Sequence, residues 1–191
     1  MAIGLDPVFQ CPISLEHYPL HLDPHRKTQS APLLGKIDEA MPNKGKFQVE
    51  AALATYVAGL KAHDVAAIGA SLAEEVRFVT AIKTMGKVSI LEFLAALYAG
   101  FPDWSYDHDE PVRHEEGSYS ILWRQGGAHT ATLAFPGFAA VPATGKTVVI
   151  PEQRFFYRVG SEGLTEIRPD PIPGGAPRGI FEQIGVKQSP L

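Results

Sequence analysis

Residues 118–135 read SYSILWRQGGAHTATLAF. The pattern is strand or helix, and the choice sets the class of the chain. On both sides of Gly126 and Gly127, aromatic and aliphatic residues alternate with polar or small ones. A repeat of two sends successive side chains to opposite faces, which describes a half-buried strand. The stretch is therefore predicted as two strand segments with a bulge at the glycine pair. Its inward run becomes Trp123, Gln125, Gly127, His129, Ala131 and Leu133. That places an indole, an amide and an imidazole above one face of a sheet.

Upstream the period changes to that of a helix. Val49, Leu53, Tyr56, Val57 and Leu60 predict an amphipathic helix ending near His63. Asp64 caps a short second helix with Val65, Ile68 and Leu72. EEVRFVT, residues 74–80, reads as a strand, and Gly86 marks a turn. Ser89 with Glu92 forms a capping box that opens a third helix through Ile90, Phe93, Leu94, Leu97 and Tyr98. Downstream, SYDHDEPVR and TVVIPEQRFFYRV read as strands, the second carrying Pro151 as a bulge or edge signal. FPGFAAVPATGK is a loop, LTEIR a further strand, and RGIFEQIGV a terminal helix. Helices first and a mostly antiparallel sheet after them is an α+β layout.

Composition narrows the function classes. The 191 residues carry 45% hydrophobic and 20% charged side chains and a net charge of −4, with no basic run. A general nucleic-acid binder is excluded on that balance. The single Cys11 leaves no internal disulfide, and no metal-ligand spacing or phosphate-loop frame occurs. No segment approaches the ~20 apolar residues of a membrane span, and the N-terminus lacks the charged region of a signal peptide. A cytoplasmic protein is expected. Residues 1–45 contain six prolines and are expected to form an extended arm before a domain over 46–187 and a tail over 188–191. His17, His21 and His25 recur every four residues, but Pro19 and Pro24 break the helix that would gather them, so no metal site is assigned.

Two stretches carry a resemblance. YVAGLKAHDVAAIGASLAEEVRF is similar to the opening of the ketosteroid isomerases and the SnoaL-like polyketide cyclases. FPDW, EEGSYSILWRQGGAHTATL, PATGKTVV, FFYRV, GLTEI and IFEQIGV follow the order of landmarks in the SnoaL-like sheet and closing helix. The resemblance spans residues 46–187. It implies the cone-shaped fold of the nuclear transport factor 2-like superfamily, with three N-terminal helices packed on a curved, mostly antiparallel sheet. It also implies a homodimer, a hydrophobic small-molecule partner and chemistry without a cofactor.

The resemblance carries over unevenly. Tyr56 matches the helix tyrosine of the isomerases, whose phenol donates to a developing enolate; it also sits on the apolar helix face, as a core tyrosine would. The isomerases' proton-shuttling aspartate falls on Thr80, which is not ionised near neutral pH. The cyclases' acidic position on the strand PEQRFFYRV becomes Phe155, and a bulge at Pro151 would bring Glu152 inward as a base instead. His129 matches the histidine of the cyclase signature. An imidazole there could transfer or donate a proton, or be a satisfied core histidine. Trp123, Gln125, Phe155, Tyr157, Tyr98 and Thr80 are expected to line the site, with His129 and Tyr56 as its catalytic pair. Arg124 and the carboxylates of DHDE are expected on the solvated side.

Three functions follow. The leading one is a cofactor-independent acid/base enzyme that cyclises, isomerises or dehydrates a polyketide- or steroid-like carbonyl compound. The others are a non-catalytic small-molecule binding protein and a dimeric interaction module. A sheet interior filled by Phe155, Tyr157 and Trp123, with no cavity, would leave only the module.

Overall fold

The computed structural model describes residues 44–187 except Glu116, with side chains from Glu50 onward. The arm, its three histidines and Cys11 lie outside the described residues. α1 (Lys44–Ala62) buries Leu53, Tyr56 and Leu60. His63, at φ 55, turns the chain, and Asp64 caps α2 (Val65–Ser71) by accepting from the Ala67 N–H at 2.9 Å. Gly59 is required where the two helices meet, because a Cβ there would lie 2.8 Å from the Ile68 side chain.

α2 runs straight into β1 (Leu72–Val79), which pairs with the short β2 (Thr84–Met85). α3 (Lys87–Gly100) buries Ile90, Leu94 and Leu97, one face at helical spacing. It starts two residues before the predicted capping box. Gly86 is its N-cap without a side-chain cap, and the Ile90 N–H donates to the Gly86 carbonyl at 3.1 Å. Ser89 thus lies inside the first turn and caps nothing.

β3 (Ser105–His108), β4 (Val112–Arg113), β5 (Ser118–Ala128), β6 (Thr147–Gly160) and β7 (Gly163–Pro169) complete the sheet, and α4 (Arg178–Ile184) follows. The order is β2-β1-β7-β6-β5-β3, with β4 also on β5. β1 and β7 are parallel; every other pair is antiparallel. The helices cover one face of the sheet, and the core lies between.

Two predictions about β5 and β6 are corrected. First, β5 ends at Ala128, so residues 129–135 are not its continuation. The Asp103 carboxylate takes the Ala128 N–H at 2.8 Å, and Gly127 packs against Trp104 so closely that a Cβ would lie 3.0 Å from its Cα. Of these residues His129 still pairs through its backbone: its N–H donates to the Lys146 carbonyl at 2.9 Å and its carbonyl accepts from the Gly145 N–H at 2.9 Å. Beyond it, Leu133 and Val141 form an isolated bridge. Second, Gly126 and Gly127 pair regularly with Val149 and Val148, and the bulge sits in β6. Gln125 faces Ile150 while Trp123 faces Gln153, so β6 holds one extra residue at Pro151–Glu152. Proline has no N–H to give to the ladder, which explains the position.

Candidate active site

The described residues enclose a cavity of about 830 Å³ between the helices and the sheet. That volume falls in the range of ~300–1,000 Å³ usual for small-molecule sites. α1 supplies Tyr56 and Leu60, α3 supplies Ile90, Phe93, Leu94 and Leu97, and the sheet supplies Phe78, Tyr106, Trp123, Gln125, Ile150, Gln153, Phe155 and Tyr157. The chain from Pro169 to Arg178 and the turn from Thr80 to Lys83 complete the lining. Its acidic and basic side chains are Lys83, Asp170, Arg178 and Glu182, and the last two pair with each other at 2.7 Å.

The polar groups inside are phenols, indoles and amides. The Trp123 Nε1–H donates to the Tyr157 hydroxyl at 2.7 Å, and both side chains are buried. The Tyr56 ring meets Tyr157 edge-on with centroids 5.8 Å apart. The hydroxyls of Tyr98 and Tyr106 share a hydrogen bond at 3.3 Å. Burial pushes the phenols of Tyr56, Tyr106 and Tyr157 up, helped by the neighbouring phenols, and raises Tyr98 to about 12. All four are therefore neutral hydrogen-bond donors near pH 7. Trp104 also lines the cavity, and its indole N–H has no partner among the described residues.

In sequence, residues 53–166 match the family model of the SnoaL-like domain, more than half of the chain. The chain belongs to the SnoaL-like domain family. Solved structures agree on its fold. AclR, a candidate hydroxylase from Streptomyces galilaeus, matches at TM-score 0.58 and 15% identity, over 73% of this chain and 82% of its own. A candidate SnoaL-like polyketide cyclase from Jannaschia sp. CCS1 matches at TM-score 0.57 and 16% identity, over 75% and 96%. TsrD from Streptomyces laurentii matches at 0.56 and 13%, over 74% and 98%. No curated protein matches in sequence. At such identities the structures establish the nuclear transport factor 2-like fold and leave the reaction to the residues.

Of the residues expected from the SnoaL-like resemblance, Tyr56, Thr80, Trp123, Gln125, Phe155 and Tyr157 line one cavity. Tyr98 does not; it stacks on His63 at 4.1 Å and reaches the site only through Tyr106. His129 is also outside the lining. It is fully buried beyond the end of β5, stacked on Phe101 at 5.0 Å, with Nδ1 3.0 Å from the Thr144 hydroxyl. The expectation that it faces the cavity fails because Phe101, which follows α3, stacks on its ring. The Thr80 hydroxyl donates to the Lys83 carbonyl at 2.8 Å and so closes the β1–β2 turn.

The bulge settles the face of Glu152. Its carboxylate accepts from Arg124 Nε at 2.8 Å outside the cavity, and Arg124 also holds Asp109 at 2.7 Å and Asp107 at 3.4 Å. Hydrogen bonds to Asp109 and then Glu152, with the charges of both, raise the Arg124 pKa. The inward residue is Gln153. Sequence reasoning missed Gln153, Tyr106 and Trp104. Pro151 was the one local signal that could have led to Gln153. Among the described residues no cluster of His, Cys, Asp and Glu could hold a metal ion. No described helix is long and apolar enough to cross a membrane.

Proposed function

We propose that this SnoaL-like protein is a cofactor-independent acid/base enzyme that enolises a hydrophobic carbonyl compound, polyketide- or steroid-like in character, for cyclisation, isomerisation or dehydration. The hydrogen bond from Trp123 to Tyr157 carries the reading. An indole N–H can only donate, so it occupies the acceptor side of the Tyr157 oxygen and leaves the phenol proton free for a ligand. Tyr56 has no hydroxyl partner among the described residues and stands beside it as a second donor. Two such donors in an apolar enclosure suit an enolate oxygen better than a ground-state carbonyl, which is the condition for lowering a barrier.

The proton acceptor we assign is Asp170, the lining carboxylate not paired with Arg178. The α-proton passes to Asp170, and its C–H electron pair moves into the enolate, whose oxygen takes the two phenol hydrogen bonds. Returning the proton at another carbon isomerises the compound. Attack of the enolate carbon on a second carbonyl closes a ring.

Deuterium uptake by β-tetralone, followed by NMR, tests this. The protein should accelerate α-exchange, and Asp170→Asn should slow it roughly a hundredfold or more. Tyr157→Phe should slow it on the order of a hundredfold. It should also cost about 1–3 kcal/mol in urea unfolding, because the buried Trp123 N–H is left without a partner. Binding of the ketone with no exchange above buffer would overturn the enzyme reading. It would favour a binding protein, which the absence of an ionised base at Thr80 and Phe155 also suits. The cavity removes the filled interior on which a pure interaction module was predicated. The homodimer remains our expectation, to be read by sedimentation.

A further inference from the structure

The β6 bulge does more than turn Glu152 outward. It brings Gln153 into the cavity, 8% exposed, directly across from Trp123. A buried amide needs partners on both its ends. One end is satisfied: Gln153 Nε2 donates to the Asp170 backbone carbonyl at 2.6 Å. That bond fixes which way the amide points, since the Oε1 atom would repel the carbonyl. The backbone around it is constrained too. Asp170 N–H donates to the Arg154 carbonyl at 2.8 Å, and Gly175 packs beside the Gln153 amide.

The other end is open. Gln153 Oε1 has no partner among the described residues, yet it is not one of the sealed, unpartnered buried atoms, which are Trp104 Nε1, Tyr119 Oη and His129 Nε2. It therefore opens on the cavity as an acceptor of fixed orientation. Gln125, another amide in the lining, has no such hydrogen bond among the described residues and can turn either end to a ligand.

We infer that Gln153 is a specificity-determining residue that accepts a hydrogen bond from a hydroxyl on the ligand, so that the site selects hydroxylated carbonyl compounds over their ethers and deoxy analogues. The inference rests on the proposed ligand site and goes beyond the reaction assigned to it. The phenols offer donors to a carbonyl; Gln153 offers an acceptor to a hydroxyl. A ligand lacking that hydroxyl leaves the amide oxygen dry and unpaired, which is the strongest basis on which such sites discriminate.

Three anthraquinones test it: emodin, its methyl ether physcion, and chrysophanol, which has hydrogen in place of the same hydroxyl. Affinities are measured by calorimetry with the full chain, at a pH where the phenol is un-ionised. Emodin should bind about tenfold tighter than either analogue. Gln153→Leu should erase that preference, weakening emodin about tenfold without weakening chrysophanol. Equal affinities for the three in the unmodified protein, or no binding by any, overturn the inference without any variant having to fold. So does a variant that weakens all three alike, which marks a purely structural residue. These anthraquinones carry no exchangeable α-hydrogen. Failure here is therefore separable from failure of the enolisation reading, which β-tetralone exchange reports on its own.

Discussion

His129 is closed off from solvent beside Phe101, with one nitrogen on Thr144 and the other without a partner among the described residues. Charging it there costs more than charging it in the unfolded chain, and burial lowers its pKa from 6.5. The unfolded state then binds more protons over the interval between the lowered value and 6.5. Stability is full above the unfolded value and is lost as pH falls through the folded one. Urea unfolding between neutral pH and about pH 5 should show this slope. His129→Asn should flatten it, and an unchanged slope would mean that other groups carry it. The residue's type was legible in the sequence and its partner was not. A histidine on an alternating strand gives no local sign of what packs on its ring. Here that is Phe101, brought there from the end of α3.

At the scale of elements, local period carried most of the reading. α1, β1, β6 and β7 emerge close to where Leu53, Tyr56 and Leu60, or the alternation through EEVRFVT and LTEIR, place them. Ends and register were the weak points, because each is set by a neighbour. α3 begins at Gly86 although Ser89 and Glu92 offer the better local cap. It closes at Gly100, where the loop after β5 crosses. A Cβ at Gly100 would stand 2.8 Å from Leu133 Cδ1 and 2.9 Å from its Cβ, and Leu133 is fully buried. Gly100→Ala should thus destabilise by about 1–3 kcal/mol despite alanine's better helix propensity. Thermal unfolding with no loss would show that the loop yields freely.

For the whole molecule, the consequence of the fold is an internal space that an occupant can fill. A ligand that binds only the folded chain stabilises it by about 2.7 kcal/mol at a hundred times Kd. That corresponds to a Tm rise of several degrees for a chain of this size. Polycyclic ketones should produce it, and Leu94→Trp, which narrows the lining from α3, should abolish it while leaving Tm in the absence of ligand near the original. A shift that survives in Leu94→Trp would place binding elsewhere.

The sequence by itself determined the α+β class and the SnoaL-like family, and it named Trp123, Phe155 and Tyr157 of the cavity wall. Each rests on residue type and short-range period, and both are written into the chain. Only the tertiary structure decided which polar groups line the cavity. One extra residue in β6 turned Glu152 out and Gln153 in, Phe101 covered His129, and the pairing of Trp123 with Tyr157 made a wall residue into a donor. All three depend on strands and loops far apart in sequence. A side chain's face follows from register, and register is fixed by the partner strand rather than by the strand itself.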